Sequence, residues 1–245
     1  MKVVIIASGK GGTGKTSLTA GLATALAAMG QKVLAIDGDA GLRNLDLALG
    51  MSDSVVFSFT DVAEGMVSLE RAAAQHTQFP NVWMLTAPTS PHALSENGMI
   101  RIRDQAEKEQ FDYCLIDSPA GLVSEIRMYC SIATQGIVVA TPESASLRGA
   151  ERVARLMEEE LIMRIRLIIN RVRSNLIRHG VASNIDDAID LTGLQLIGIV
   201  PEDEDVIACA NNGQSLISLK KTGAALAYRN IARRLQGERL PIMRL

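Results

Sequence analysis

Aromatic residues are scarce in this sequence, at 3% of 245 residues, whereas 47% of the residues are apolar. The core must therefore be built mainly from aliphatic side chains, and a chain of this length can bury such a core readily. The sequence also lacks a Pro-, Gly- or Ser-rich linker, a low-complexity tract and an evident internal repeat. We therefore expect one domain over residues 1–245.

Cysteine and histidine are few, with three of each. The cysteines form no Cys-x-x-Cys pair, so neither a disulfide framework nor a structural zinc site is expected from Cys114, Cys130 and Cys209. Cys114 falls in an apolar run and is interpreted as a small buried hydrophobe. The histidines are equally scattered, which favours surface or structural roles for His76, His92 and His179.

The sequence also lacks an excess of either charge, because 25 Lys and Arg residues balance 27 Asp and Glu residues, for a net charge of −2. This balance gives no electrostatic reason to expect a nucleic acid as partner. No apolar run approaches the length of a membrane span. The first residues run directly into a predicted strand, without the basic flank and apolar core of a signal peptide, so a cytoplasmic protein is expected.

A glycine-rich stretch stands out against this background. Residues 8–16 read Ser-Gly-Lys-Gly-Gly-Thr-Gly-Lys-Thr, which fits the phosphate-binding pattern Gly-x-x-x-x-Gly-Lys-Ser/Thr. An apolar strand is predicted before it, over residues 3–7, and a helix after it, over residues 16–29. The alternative, a strand-to-helix turn that binds nothing, is disfavoured because strand, motif and helix are all in register.

The chemistry of this motif assigns roles to its residues. Glycines let the backbone bend closely around phosphate oxygens, and free N–H groups at the start of a helix point at the anion. Lys15 is expected to reach the β- and γ-phosphates, and the Thr16 hydroxyl to ligate Mg²⁺. The nucleotide-binding residues predicted here are Gly11, Gly12, Thr13, Gly14, Lys15, Thr16 and Ser17.

Carboxylates follow two further predicted strands. The apolar run 33–37 ends in Asp37, with Asp39 two residues on, and the run 111–117 ends in Asp117. Asp117 is placed to hold the Mg²⁺ shell beside Thr16. Asp39 could orient an attacking water or bind the metal shell, although acidic residues are also common turn formers. We expect Thr16, Asp39 and Asp117 to form the metal site.

The remaining chain alternates apolar strands with helices. Strands are predicted over residues 82–87, 136–142, 164–171 and 195–200, and helices over 95–110, 144–160 and 222–235. Residues 54–76 are expected to form short helices and turns, with Asp61 and Ser68 as N-caps. Such alternation predicts an α/β fold, a doubly wound and mainly parallel sheet with helices on both faces. The candidate residues would then share one sheet edge.

Three segments together resemble one family. Lys10 within the glycine-rich stretch, the phrase Asp-x-Asp-x-Gly-Leu-Arg-Asn-Leu-Asp-Leu over residues 37–47, and Asp-Ser-Pro-Ala-Gly over 117–121 are similar to the deviant Walker A ATPases of the ParA/MinD family. The second segment is closer to MinD-type members than to ParA partition proteins. The resemblance extends from residue 2 to about residue 239.

The resemblance implies further roles. Lys10 would cross a dimer interface and touch phosphates bound by the partner subunit, and Asp39 would activate water. Asn170, at a strand end, would offer a donor and an acceptor to the adenine edge, although an amide that only orders a loop remains the alternative. The segment around the base would include Arg171, Pro201, Glu202 and Asp203.

The function implied is that of a Mg²⁺-dependent ATPase that acts as an ATP-driven dimerisation switch in the spatial regulation of cell division. A division inhibitor and an ATPase-stimulating protein would be its partners. Three alternatives stay open. The first is positioning of flagella or another cargo, and the second is a nucleotide-bound scaffold. The third, an iron–sulfur reductase, is disfavoured because residues 122–124 include no cysteine.

The last nine residues depart from the family pattern. MinD-type proteins continue into a basic amphipathic helix that binds membrane, whereas residues 237–245 form a short tail interrupted by Pro241. Such a tail is too short to lie on a membrane as a stable helix. The inner face of the cell membrane is therefore kept only as a surface that the protein could contact peripherally.

Overall fold

The strands of the computed structural model lie in a single sheet. The structure describes residues 1–40, 42–52, 57–88, 95–121 and 124–243. Within these ranges the strands are β1 (Lys2–Ser8), β2 (Val33–Asp37), β3 (Ala74–Gln75), β4 (Val82–Leu85), β5 (Tyr113–Ala120), β6 (Gln135–Ala140), β7 (Ile165–Val172) and β8 (Gln195–Pro201). Their order across the sheet is β3-β4-β2-β5-β1-β6-β7-β8. All neighbours are parallel except the β3–β4 pair.

Helices follow most of these strands. Those in the described ranges are α1 (Lys15–Ala27), α2 (Leu45–Leu49), α3 (Phe59–Ala63), α4 (Leu69–Ala72), α5 (Glu96–Lys108), α6 (Ser124–Cys130), α7 (Ser144–Glu159), α8 (Ser174–Arg178), α9 (Ile185–Thr192), α10 (Glu204–Asn211), α11 (Leu216–Leu219) and α12 (Gly223–Leu235). None of the helices in the described part of the chain is long and apolar enough to cross a membrane.

The core lies on both faces of the sheet, because alternate strand residues point to opposite sides. Val3 and Ile5 of β1 pack with helices α3 to α7 and α9. Val4 and Ile6 pack on the other face, with α1, α2 and α10 to α12. The aliphatic runs thus form buried parallel strands with helices packed on both faces of the sheet. This arrangement confirms the predicted fold class.

Four details differ from the sequence-based expectation. Strand β5 continues to Ala120 because Ala120 pairs with Ser8, so Asp117 lies within the strand rather than at its end. Strand β3 was not predicted, since two residues carry no periodicity. Asp61 does not cap α3: Ser58 is the N-cap, and Asp61 receives the Ser58 N–H in a capping box. Ser68 precedes α4 as expected, but its side chain makes no cap bond.

The described part of the tail lies along β8. The Arg234 guanidinium donates to the carbonyl of Ile197 in that strand and to the carbonyls of Leu240 and Pro241. Met243 packs against the core on the α1 side of the sheet. Residues 237–243 thus contact the body of the protein through backbone acceptors, the apolar side chain of Met243 and the Glu238 carboxylate, which pairs with Arg233 of α12.

Candidate functional site

A cavity of about 420 Å³ opens at the carboxyl edge of the parallel strands. It is lined by the glycine-rich loop and by residues that follow β2, β5, β7 and β8 or lie near their ends. Every site residue predicted from the sequence lines it except Lys10 and Thr13; those that do are Gly11, Gly12, Gly14, Lys15, Thr16, Ser17, Asp39, Asp117, Asn170, Arg171, Pro201, Glu202 and Asp203. The fold therefore brings together residues separated by up to about 190 positions in the sequence.

The glycine-rich loop presents backbone rather than side chains to this cavity. Gly12 and Gly14 have φ of 78° and 86°, the left-handed region that glycine adopts without strain. A Cβ on Gly14 would lie 2.4 Å from the Asn170 amide nitrogen. Helix α1 begins at Lys15 with no side-chain cap, so the first N–H groups of the helix are left for an anion.

Lys15 is buried beside this loop. Its side chain is 8% exposed, and its Nζ donates to the Ser8 hydroxyl at 2.9 Å, which in turn donates to the Lys10 carbonyl at 2.8 Å. Burial lowers the pKa of Lys15, and the carboxylates of Asp117 and Asp39 partly oppose that shift. The Lys15 ammonium is thus buried without full compensation of its charge. Phosphate oxygens would supply the missing hydrogen-bond acceptors and negative charge.

Two buried carboxylates face the same corner. Burial raises the pKa of Asp117 to about 7, despite hydrogen bonds from Thr16 and Thr19 that favour the charged form. Burial likewise raises the pKa of Asp37 to about 6, although Asp37 accepts the backbone N–H groups of Asp39 and Leu45, each at 3.1 Å. Both shifts mean that the cost of burying these ionised carboxylates is not fully compensated, although Lys15 favours the charged form of Asp117.

The donor set fits a magnesium ion that is shared with a bound phosphate. Thr16 offers a hydroxyl and Asp117 a carboxylate, the oxygen ligands that Mg²⁺ prefers. Among the described residues, no three or more His, Cys, Asp and Glu side chains group as a metal site. Mg²⁺ usually takes one or two carboxylates and completes its shell with water and substrate, so Thr16 and Asp117 could hold it together with a bound phosphate.

The far end of the cavity is held by side chains that contact the loop. The Asn170 amide nitrogen donates to the Thr13 carbonyl at 2.7 Å, and Arg171 donates to the Gly12 carbonyl at 3.0 Å. Arg171, at φ 57°, also forms two 3.0 Å hydrogen bonds with the Glu202 carboxylate. The adenine contact predicted for Asn170 stays a prediction, and one of its amide hydrogens is already used by the loop.

Asp203 ties two helices to the end of β8. One carboxylate oxygen accepts the Asp205 N–H at 3.0 Å and caps α10, while the other accepts the Ala224 N–H at 2.9 Å in the first turn of α12. A Cβ on Gly223 would lie 2.3 Å from that second oxygen. The side chain of Asp203 is therefore occupied structurally, which leaves the backbone of this segment for the base contact that was predicted.

Lys10 lies outside the cavity. Its Nζ is 3.7 Å from the Glu143 carboxylate, and its side chain is 53% exposed. The Thr141 hydroxyl donates to Glu143 at 2.7 Å and so helps to orient it. Lys10 does not reach its own cavity, and its role toward a second copy stays a prediction.

Sequence reasoning missed an apolar part of the lining. The residues concerned are Leu42, Ala120, Val200, Val206, Ile207 and Tyr228, and the polar Asn44 beside them was missed as well. Val206 and Ile207 sit in the first turns of α10, where their apolar character beside an acidic N-cap was the available signal. Tyr228 could not have been found, because it reaches the cavity from the closing helix.

The profile of the CobQ/CobB/MinD/ParA nucleotide binding domain matches residues 4–217. The chain belongs to this family. The septum site-determining protein MinD of Synechocystis sp. is 39% identical over 245 residues, covering 99% of this chain and 92% of that protein.

Two solved structures within the family are especially informative. The MinC:MinD cell division protein complex of Aquifex aeolicus matches with a TM-score of 0.94 at 35% identity, covering 100% of this chain and 99% of that one. MinD complexed with Mg-ADP from Pyrococcus horikoshii matches with a TM-score of 0.80 at 30% identity, covering 96% of each chain. These likenesses confirm the predicted P-loop fold and the MinD-type resemblance, and they support a MinD-like ATPase of division-site placement.

Proposed function

We propose that this chain hydrolyses ATP with Mg²⁺ and that ATP drives it from monomer to dimer as part of division-site placement. The observation that carries the proposal is the corner formed by Lys15, Thr16 and Asp117. There, one buried ammonium and one buried carboxylate face a cavity of about 420 Å³ beneath the uncapped start of α1. A Mg²⁺-nucleotide would supply the negative and positive charge that this corner lacks.

Each residue has a proposed role in this reaction. Lys15 and the loop N–H groups bind the phosphates, and Thr16 and Asp117 hold the ion. Mg²⁺ would neutralise charge that develops on the transferred phosphoryl group. Asp39, which lines the same cavity, orients the attacking water. Ser8 holds the Lys15 ammonium by one hydrogen bond, from which the ammonium can turn to a phosphate.

Lys10 supplies the link between hydrolysis and dimerisation. Because its side chain is half exposed and lies outside its own cavity, the Lys10 ammonium is available to a second copy. A positive charge delivered in trans to a phosphoryl transition state is worth about 10³ to 10⁵ in rate. We therefore expect slow turnover in the monomer and faster turnover in the dimer.

The partners follow from the same proposal. The Aquifex aeolicus structure holds MinC together with MinD, so we propose a division inhibitor of that kind as one partner. An ATPase-stimulating protein would be a second. The inner face of the cell membrane is proposed as a surface for peripheral contact by the ATP-bound dimer.

Light scattering with Mg²⁺ and ATP tests the switch. The wild-type protein and Asp39→Ala should form dimers, and those of Asp39→Ala should persist because water is no longer oriented. Lys10→Ala and Lys15→Ala should remain monomers. Lys221→Ala, an exposed lysine away from the cavity, is the matched control and should dimerise.

Monomeric Asp39→Ala in the presence of ATP would contradict the dimerisation switch. Negligible ATP hydrolysis by the wild type with every candidate partner would instead favour the scaffold hypothesis, in which the nucleotide only stabilises the structure. Misplacement of flagella or another cargo in cells that lack the protein, with septa placed normally, would favour the positioning alternative.

A further inference from the structure

Two helix ends meet backbone to backbone behind the cavity wall. Gly50 closes α2 at φ 70°, and Gly213 follows α10 at φ 61°. A Cβ on Gly50 would lie 2.3 Å from the Gly213 carbonyl oxygen, closer than real Cβ contacts come. We refer to Gly50 and Gly213 as the glycine joint.

On each side of the joint, a backbone hydrogen bond connects the residue after the glycine to the helix that precedes it. After Gly50, the Met51 N–H donates to the Asp46 carbonyl at 2.8 Å, and after Gly213, the Gln214 N–H donates to the Cys209 carbonyl at 2.9 Å. Hydrogen bonds of this kind fix a helix C-terminus. A movement of either helix is therefore carried directly to the joint.

Helix α2 connects the joint to the phosphate end of the cavity. Its first residue, Leu45, donates its N–H to the Asp37 carboxylate, which also accepts the Asp39 N–H. Leu42 and Asn44, in the loop just before α2, line the cavity. A ligand that contacts this loop thus acts on the start of α2.

Helix α10 connects the joint to the other end. Its N-cap Asp203 follows Glu202, and the Arg171 that pairs with Glu202 donates to the Gly12 carbonyl. Val206 and Ile207 of α10 line the cavity itself. The two helices, in contact at the glycine joint, therefore link the loop before α2 to the segment after β8.

We propose that the glycine joint couples the two ends of the cavity, so that a bound triphosphate and a bound diphosphate leave α10 in different states. Gly50 and Gly213 are positioning residues in this scheme, which rests on the proposed function. Close-packed interfaces switch between discrete arrangements rather than deforming smoothly, so a shift of α2 is passed on to α10. The exposed face of α10 then reports which nucleotide is bound.

Gly50→Ala tests the joint, with Gly193→Ala as its matched control. Gly193 closes α9 at φ 66° with open space around it, so both substitutions carry the same left-handed strain and only the first collides with a neighbour. Amide hydrogen exchange of α10 is measured with Mg²⁺ and either ADP or a non-hydrolysable ATP analogue. The protein is kept at a concentration where scattering shows monomers.

In the wild type and in Gly193→Ala, the analogue should slow exchange in α10 by about fivefold relative to ADP, the lower range of ordinary allosteric coupling. In Gly50→Ala this difference should fall below about twofold, while α2 still responds. An α10 response that is unchanged in Gly50→Ala, or absent from the wild type, would overturn the inference.

A second pair of variants covers the case in which Gly50→Ala does not fold. A Cβ on Gly213 would lie 3.7 Å from the Gly50 Cα, already in van der Waals contact, so the further carbons of Gly213→Leu should crowd the joint. Gly193→Leu is its control. Retention of the α10 response in Gly213→Leu would overturn the coupling. Failure of the wild type to bind either nucleotide would refute the proposed function and the coupling together.

Discussion

At the phosphate end of the cavity, Lys15, Asp37 and Asp117 are at most 8% exposed, and their pKa values are all shifted against the charged form. At the other end, the side chains of Arg171 and Glu202 are 46% and 24% exposed and are paired with each other. One end therefore buries charge that the chain does not compensate fully, whereas the other end satisfies its charges internally.

This difference distinguishes residues whose buried charge is suited to ligand binding from residues whose ion pairs and hydrogen bonds stabilise the fold. Burying an ionised group without full compensation opposes folding, and proteins retain such groups where function requires them. The paired and capping side chains at the other end stabilise the contact between the glycine-rich loop, β8 and two helices. Four substitutions test this contrast, and they are ordered here by expected effect.

The largest effect is expected from Lys15→Ala on nucleotide binding. Removing a buried ammonium from the phosphate site should weaken ATP binding by about a hundredfold or more, equivalent to about 3 kcal/mol. Stability without nucleotide should change by much less, because burial opposes the charge of Lys15 while Asp117 and Asp39 favour it. Titration calorimetry measures the first quantity and urea unfolding the second, with Lys221→Ala as control. An ATP affinity of Lys15→Ala within about threefold of the wild-type value would show that Lys15 does not bind the phosphates.

Asp117→Asn should stabilise the nucleotide-free protein by about 1–3 kcal/mol at about pH 8. The pKa of Asp117 is raised from 3.8 to about 7, so the folded state binds the proton more tightly than the unfolded state. The stability of the wild type should therefore decline as pH rises from about 4 through about 7, and the variant should lose part of that slope.

Urea unfolding between about pH 5 and pH 8 measures this change. Asp190→Asn, on the exposed surface of α9, is the control and should leave the slope unchanged. Mg²⁺ with ADP should stabilise the wild type but not Asp117→Asn. If the variant is less stable than the wild type at pH 8, the view of Asp117 as a ligand-serving group is wrong.

Asp203→Ala should reduce stability by about 1–2 kcal/mol, because it removes the cap of α10 and the acceptor for Ala224 at once. Asp203→Asn keeps one carbonyl acceptor, so its stability should lie between that of the wild type and that of Asp203→Ala. Thermal unfolding measures both changes. Equal stability of Asp203→Ala and the wild type would show that this end does not depend on the cap.

The smallest effect is expected from Glu202→Gln. A partly exposed ion pair contributes little, so stability should fall by about 0.5 kcal/mol and the loss should shrink in high salt. ATP affinity should change by less than about threefold, measured by the same calorimetry. A loss comparable to that of Lys15→Ala would erase the contrast between the two ends.

Local patterns made most of the fold predictable. The α1 helix begins at Lys15, one residue before the predicted start, and α7 and α12 match their predictions to within a residue. The helix of residues 95–110 was also placed correctly, with Ser95 as a true N-cap that accepts the Gly98 N–H. These signals depend on neighbours within a few positions, which a sequence displays directly.

Long-range partners were not predictable in the same way. Arg171 reaches Gly12 across 159 positions, and Asp203 accepts the Ala224 N–H in the first turn of a helix that starts 20 residues later. The side chains of both residues are bound to the protein in the structure, and the base contacts expected of this segment stay predictions. No pattern in the chain distinguishes an arginine that holds a loop from one that holds a ligand.

Residue spacing along the chain was enough to predict the glycine-rich loop, the strand–helix alternation and the family. Packing established which charges are buried with incomplete compensation and which are paired, and that α2 and α10 meet at Gly50 and Gly213. The physical reason is that desolvation and close backbone approach depend on atoms distant in sequence, which only the packed sheet and its helices bring together.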